Sequence, residues 1–422
     1  MEKYNEYKDS GVQWLGEIPS HWKIRRIKWL FREEDEKNVN LTYQLLSFSR
    51  NKGIIPFSAI NEKAPSAFDL SKYKVLHEGQ LLENRMQAWS GMFGCSHIEG
   101  CVSPDYSVFS PYDSNVVTEY YACLFRIPIF VQQFANASKG IGDGFNRLYT
   151  PQFHKIYAIV PSTIEQHAIV FYLDTKCSKL DMFISNKEKE ITLLQEMKQR
   201  VITDAVTRGL NPNVKFRSTN IPWLPEIPEH WQIKPIRSLL REVTEKSETG
   251  DEELLSLSQY TGISYKKDAK NTGMFEAEST IGYKKVYQGQ FVMNIMLAWN
   301  GSYAVSDLEG IISPAYCVFD FVSDCDKLYY HYLLRLGIYS GAFKTASRGI
   351  IDSRLRLYPN RFYPFPIICP PIEEQHAIVS YITERVAKID SLIEKLYKEI
   401  ECIKEYKQRL ISDVVTGQIK VS

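Results

Sequence analysis

From Ile382 to Val414, apolar side chains recur at alternating gaps of four and three: Ile382, Val386, Ile389, Ile393, Leu396, Ile400, Ile403, Leu410 and Val414. Lys407 stands where one more apolar residue is due. Sustained heptad spacing of this kind predicts one long helix with a coiled-coil seam, about 45 residues and therefore roughly 65 Å long. A second seam runs through Leu173, Cys177, Leu180, Ile184, Ile191, Leu194, Val201 and Ala205, interrupted at Lys187 and Lys198. Lys198 aligns with Lys407, so both helices break the seam at one shared place. Neither seam can stay in water, and the obvious partner for each is the other.

The rest of the chain is duplicated as well. Trp14–Ile24 (WLGEIPSHWKI) returns as Trp223–Ile233 (WLPEIPEHWQI), an offset of 209 residues. After each opening, Ile24, Ile27 and Leu30, matched by Ile233, Ile236 and Leu239, predict a short helix. β-like runs follow at Leu45–Ser49 and Leu254–Ser258, then at Tyr73–Gly91 and Tyr283–Gly301, then at Ser103–Phe109 and Ser313–Phe319. An apolar helix is expected at roughly 115–137 and 326–346. A glycine-containing polar loop comes next, then a short strand ending at Pro161 or Pro370.

These patterns define a globular unit at 1–162, a long helix at 163–210, a linker at 211–222, a second globular unit at 223–371 and a second long helix at 372–422. The linker is short and punctuated by Pro212 and Pro222, so the second unit must start near the far end of the first helix, and the second helix most simply runs back. The expected class is α+β: two mixed α/β domains in pseudo-twofold arrangement, joined by two long helices in an antiparallel coiled coil.

Composition narrows the function only a little. A chain of 422 residues with 44% hydrophobic content can build two or three ordinary cores. No run of about 18 apolar residues occurs, and the polar start is no signal peptide, which predicts a cytoplasmic protein. The eight cysteines are scattered without a CxxC pair and read as reduced thiols. A net charge of +1 neither supports nor excludes nucleic acid, because a local basic patch matters more than the total.

No catalytic constellation emerges. Gly140–Gly144 (GIGDG) follows a helix and enters a strand, the reverse of a cofactor loop, and its repeat Gly349–Ser353 loses two of the three glycines. Pro104-Asp105 becomes Pro314-Ala315, Asn211–Val214 lacks the rest of a methyltransferase motif, and His21/His230 and His167/His376 stand without clustered ligands, so no metal is expected. What recurs is suited to phosphate. Ser138-Lys139-Gly140 through Arg147, and Ser347-Arg348-Gly349 through Arg356, each open with Ser, a cation and Gly and close on Arg before Leu-Tyr. Small residues admit a close backbone approach and the cations supply salt-dependent affinity; an ordinary solvated loop has the same composition. The segments around Trp89 and Trp299 are second candidates, although tryptophans there also suit a core. Arg85 and Gln87 become Ile295 and Leu297 in the other copy, as expected of two readers with different preferences, or of drift.

The opening YKDSGVQWLGEIPSHW, the Pro-x-x-x-Glu-Gln helix start at Pro161 with its return in a closely similar frame at Pro371, and the duplicated domain-plus-helix order together resemble the specificity subunit of type I restriction–modification systems, over essentially the whole chain. The resemblance implies a subunit that is not itself an enzyme. Each globular unit would be a target recognition domain reading one half of a bipartite DNA sequence, with the helices setting the unread gap. The helices would dock two methyltransferase subunits carrying S-adenosylmethionine, and restriction subunits would bring ATP and Mg chemistry; the chain itself would carry no cofactor. The loop ending in Arg would lie on the DNA side, which brings forward Gly140, Arg147, Gly349 and Arg356. Lys74, Arg85, Lys284, Lys285, Asn294 and Arg354 are further candidate base or phosphate contacts. Two other readings stay open: a coiled-coil scaffold joining two adhesive domains, and the recognition subunit of a system whose nuclease and methylase are fused.

Overall fold

The computed structural model describes residues 2–421 except 51, 60–68, 141–145, 260, 269–278 and 350–354. It divides into two compact units, Met1–Glu188 with Tyr397–Ser422, and Lys189–Leu396. Each unit is built on a four-stranded antiparallel sheet. In the first, β2 (Phe31–Glu34), β5 (Tyr106–Pro111), β3 (Leu81–Asn84) and β4 (Phe93–Cys95) lie in that order; β1 (Lys23–Arg26) pairs separately with β6 (Tyr157–Val160). In the second, β8 (Leu240–Val243), β11 (Tyr316–Phe321), β9 (Phe291–Asn294) and β10 (Tyr303–Val305) repeat the order, and β7 (Gln232–Pro235) pairs with β12 (Pro366–Cys369).

The short helix expected over Ile24–Leu30 is instead the strand β1 followed by a single 3-10 turn, Ile27–Trp29; the same holds at β7. Ile24 lies opposite Ile159 in an antiparallel ladder, and the pairing satisfies a backbone that a lone helical turn would leave half unbonded. The single apolar helix expected next is two: α1 (Thr118–Leu124) and α2 (Pro128–Ala137), with Pro128 in the first turn of α2, where its missing N–H costs nothing. The second unit splits its counterpart into α4 (Lys327–Leu334) and α5 (Gly337–Ala346). The segment expected as linker forms a strand, Phe216–Ile221, against Leu224–Pro228.

Both long helices form, α3 (Thr163–Arg208, 46 residues) and α6 (Ile372–Val415, 44 residues). In the first unit Lys407 reaches Asp181 at 2.6 Å and Lys187 reaches Glu399 at 2.7 Å; in the second, Lys198 reaches Asp390 at 2.7 Å. Rising numbers on one helix meet falling numbers on the other, so the pair is antiparallel. Seam residues Leu173, Ile191, Ile382, Ile389, Leu396 and Ile400 are buried, and Leu180, Ile184, Leu194, Val386, Ile393 and Ile403 half-buried. The lysines that interrupt the seam use their length to reach acids across it.

Each unit closes its core on the end of a helix that begins in the other half of the sequence. Leu410, Val414 and Val415 join the first core, where the buried Tyr120 hydroxyl donates to the Val415 carbonyl at 2.8 Å. Ala205 and Val206 join the second, where Tyr329 donates to Val206 at 2.8 Å.

Candidate nucleic-acid interface

The repeated short motifs first explain how each domain grips the start of its long helix. Glu165, in the first turn of α3, accepts from His21 Nε2 at 2.8 Å, from the indole N–H of buried Trp22 at 3.0 Å and from the Ser162 hydroxyl at 2.7 Å. Burial opposes ionisation of this carboxyl, but bonds from Trp22, His21 and Ser162 prevail and hold its pKa down at about 2. Gln166 is fully buried; it accepts from the Val117 amide at 2.9 Å and donates to the carbonyls of Asn115 and Pro161 at 3.0 Å. Glu374 and Gln375 repeat both arrangements with His230, Trp231, the Asp326 amide and the Pro370 carbonyl. The Glu-Gln pair thus ties three elements together, which goes beyond the helix-start role its position implies.

α2 and α5 lead directly into the polar loops. Ser138 ends α2 with its hydroxyl donating to the Phe134 carbonyl at 2.7 Å, and Ser347 does the same to Phe343 at 2.8 Å. The chain then forms a two-stranded neck. Lys139 and Arg147 exchange both backbone hydrogen bonds at 2.9 Å, and Arg348 and Arg356 exchange theirs at 3.0 and 2.9 Å. Each neck therefore sets two cations directly opposite one another. Lys139, Gly140, Arg348 and Gly349 are exposed, Arg147 and Arg356 half-buried. Arg147 lies 3.8 Å from the Asp105 carboxylate, and Arg356 donates to its neighbour's carbonyl at 2.9 Å. Arg354 and most of GIGDG lie outside the described residues.

The structure places both candidate segments side by side. The Leu148 amide, just past the neck, donates to the Arg85 carbonyl at 3.1 Å, and the Leu357 amide to the Ile295 carbonyl at 2.9 Å. Beside each anchor a 3-10 turn carries the tryptophan. Trp89 is 39% exposed, with its indole N–H on the Met86 carbonyl at 2.9 Å, so it is not the core residue that its type suggests. Trp299 is half-buried beneath the Lys344 ammonium, 5.1 Å from the ring centroid. Gly91 and Gly301 both close their turns at φ +84°, which accounts for the repeated Trp-x-Gly; at Gly91 alone a Cβ would also strike Val131 at 2.8 Å.

Other candidates turn inward. Lys74 is buried, 3.6 Å from both Glu33 and Asp35, and burial lowers its pKa. Lys284, its counterpart, is largely buried and paired with Glu242 at 3.5 Å. Asn294 is buried and caps the following turn by accepting from the Met296 amide at 3.0 Å. These three hold the domains together rather than facing a ligand, because the strands that carry them alternate their faces and sequence alone did not reveal which face was inside. The Arg85 guanidinium bonds the carbonyls of Pro104 and Tyr106 at 3.2 Å. Lys285 remains on the surface, 3.2 Å from Glu245.

One group escaped the sequence reading. Cys95, His97 and Glu119 bring their ligand atoms within 4.8 Å of one another. The Cys-x-His spacing was the available signal, and its third member lies 22 residues further on. Among the described residues no helix is long and apolar enough to cross a membrane.

No family model matches the chain. It is 26% identical over 301 residues to the type I restriction enzyme MjaVIII specificity subunit of Methanocaldococcus jannaschii, a match spanning 66% of this chain and 66% of that relative. Its fold is similar to a chain from a solved type I R-M system, TM-score 0.68 at 13% identity, covering 95% of this chain and 99% of that one. It is also similar to the HsdS subunit from Thermoanaerobacter tengcongensis, TM-score 0.53 at 14% identity, covering 95% and 98%.

Proposed function

We propose that this chain, which belongs with the type I restriction enzyme specificity subunits that it resembles in sequence and fold, is the non-catalytic DNA-reading subunit of such a complex. The observation that carries the reading is the pair of like-charged necks. Lys139 opposite Arg147, and Arg348 opposite Arg356, are direct cross-strand cation pairs, which destabilise a ladder unless an anion neutralises them. Both domains keep this arrangement at the same place. Asp105, 3.8 Å from Arg147, offsets this in part at the first neck, and its counterpart in the second domain is Ala315; a DNA phosphate is the anion that relieves both necks, and the adjoining turns at Trp89 and Trp299 present side chains next to that contact.

In this reading each domain takes one half of a bipartite target, and the antiparallel helices set the gap and dock two methyltransferase subunits in the cytoplasm. S-adenosylmethionine, ATP and Mg then belong to the methyltransferase and restriction partners. In this reading the readers are 1–162 and 223–371, and the helical regions 163–210 and 372–422.

The direct test maps methylated adenines in the source genome with this subunit present and deleted. Loss of one bipartite methylated motif supports the proposal, whereas an unchanged methylome overturns it. At the level of residues, Arg147→Ala and Arg356→Ala should each weaken DNA binding by the assembled methylase by about 1–3 kcal/mol if base contacts are lost. Unchanged affinity for both variants at moderate salt would remove the necks from the interface.

A further inference from the structure

We infer that the first domain holds a zinc(II) ion through Cys95, His97 and Glu119, a site that the second domain does without. Cys95 ends β4, His97 sits in the turn that follows, and Glu119 occupies the first turn of α1. Their sulfur, ring nitrogen and carboxylate oxygen all lie within 4.8 Å of one another. Two ligands at about 2.0–2.3 Å on a tetrahedral ion stand roughly 3.5 Å apart, so a small inward movement completes the set. His97, the exposed member, is free to make it. Thiolate with imidazole selects zinc over the hard cations, and water completes the fourth position. On binding, the Cys95 thiol gives its proton to solvent and the sulfur becomes an anionic ligand.

The duplication supplies an internal control. Val305, Asp307 and Leu328 occupy the matching positions in the second domain, which builds the same strand, turn and helix. Even the turn's own bond repeats: Ser96 to the Ile98 carbonyl and Ser306 to the Leu308 carbonyl, both at 2.7 Å. The fold therefore does not require a Cys-His-Glu set there. What the second domain has instead is a direct tie, because the Val305 amide donates to Nδ1 of His331 on α4 at 3.2 Å. In the first domain Ala122 stands in the place of His331 and offers no such acceptor. The metal would fasten β4 to α1 where the second domain uses a hydrogen bond.

The full chain, stripped with chelator and titrated with cobalt(II) as a spectroscopic stand-in, should bind one equivalent with a thiolate-to-cobalt charge-transfer band that zinc abolishes. Cys95→Val and Glu119→Leu, the side chains that the second domain carries, should lose the band and the zinc-dependent rise in melting temperature. His97→Ala, at an exposed position, should weaken zinc at least tenfold without changing the apo melting temperature. Absence of the charge-transfer band in the parent chain overturns the site, as does a band unchanged in Cys95→Val, since the ion would then sit on another of the eight cysteines.

Discussion

The two domains share a sheet order, a clip and a neck, yet differ in the middle of that sheet. In the first, Glu83 on β3 lies opposite Ser107 on β5, and Arg85 follows. Glu83 is fully buried, and neither carboxyl oxygen has a hydrogen-bond partner among the described residues. Burial pushes its pKa well above the ordinary carboxylate range, although the Arg85 charge pulls the other way. In the second, the same positions hold Met293, Cys317 and Ile295, an apolar trio on the same register. The frame thus tolerates either interior. What it requires is the shared apolar set and the clips; the polar interior of the first domain is a local cost that this frame carries.

The largest test of that frame is the buried tryptophan of each opening motif. Trp22→Ala and Trp231→Ala should each cost about 3–5 kcal/mol, read as loss of one unfolding transition by denaturant titration. A cost below ~1 kcal/mol for either would show that the two clips are not equivalent.

Grafting the second interior into the first sharpens the comparison. Glu83→Met with Arg85→Ile and Ser107→Cys should stabilise by about 1–3 kcal/mol at neutral pH, since apolar packing replaces a buried carboxyl whose oxygens have no hydrogen-bond partner among the described residues. Because Glu83 has a raised folded pKa, its penalty grows as pH rises above the ordinary value of 4.5 and is absent below it. Melts at pH 7 and pH 4 should therefore show the gain shrinking in acid; destabilisation at pH 7 would refute the cost assigned to Glu83.

Glu165→Gln removes the ionised member of the first clip and should destabilise by roughly 1–2 kcal/mol. Its folded pKa of about 2 lies below the ordinary value of 4.5, so the parent chain's advantage is full above pH 4.5 and fades as pH falls toward 2. A pH-independent difference would mean that the lost bonds, and not the charge, matter.

The smallest effect concerns the seam. A double-mutant cycle on Lys407 and Asp181, both partly exposed, should give a coupling of about 0.2–1 kcal/mol, and the Lys198–Asp390 pair the same. Coupling far above that range would make these pairs a determinant of helix register.

Much of this was legible in the chain. The heptad spacing located both long helices, and the offset of 209 residues located the two domains and the repeated Glu-Gln and Ser-cation-Gly motifs. At three places the structure differs from the local pattern for one reason: the signal was too short to show its partner. Ile24 to Leu30 looked helical until β6 supplied a ladder; the linker became a strand beside Leu224–Pro228; Lys74, Lys284 and Asn294 looked available because strand polarity does not reveal which face is covered.

Periodicity and repetition by themselves determined that two similar domains and two amphipathic helices exist, because burying an apolar stripe is a demand each segment carries within itself. Only tertiary structure decided which residues meet: that Lys407 answers Asp181, that each neck sets cation against cation, and that Cys95 and His97 find Glu119 on another element. Such encounters depend on strand register and on how helices dock, and these are settled by packing among segments far apart in the chain.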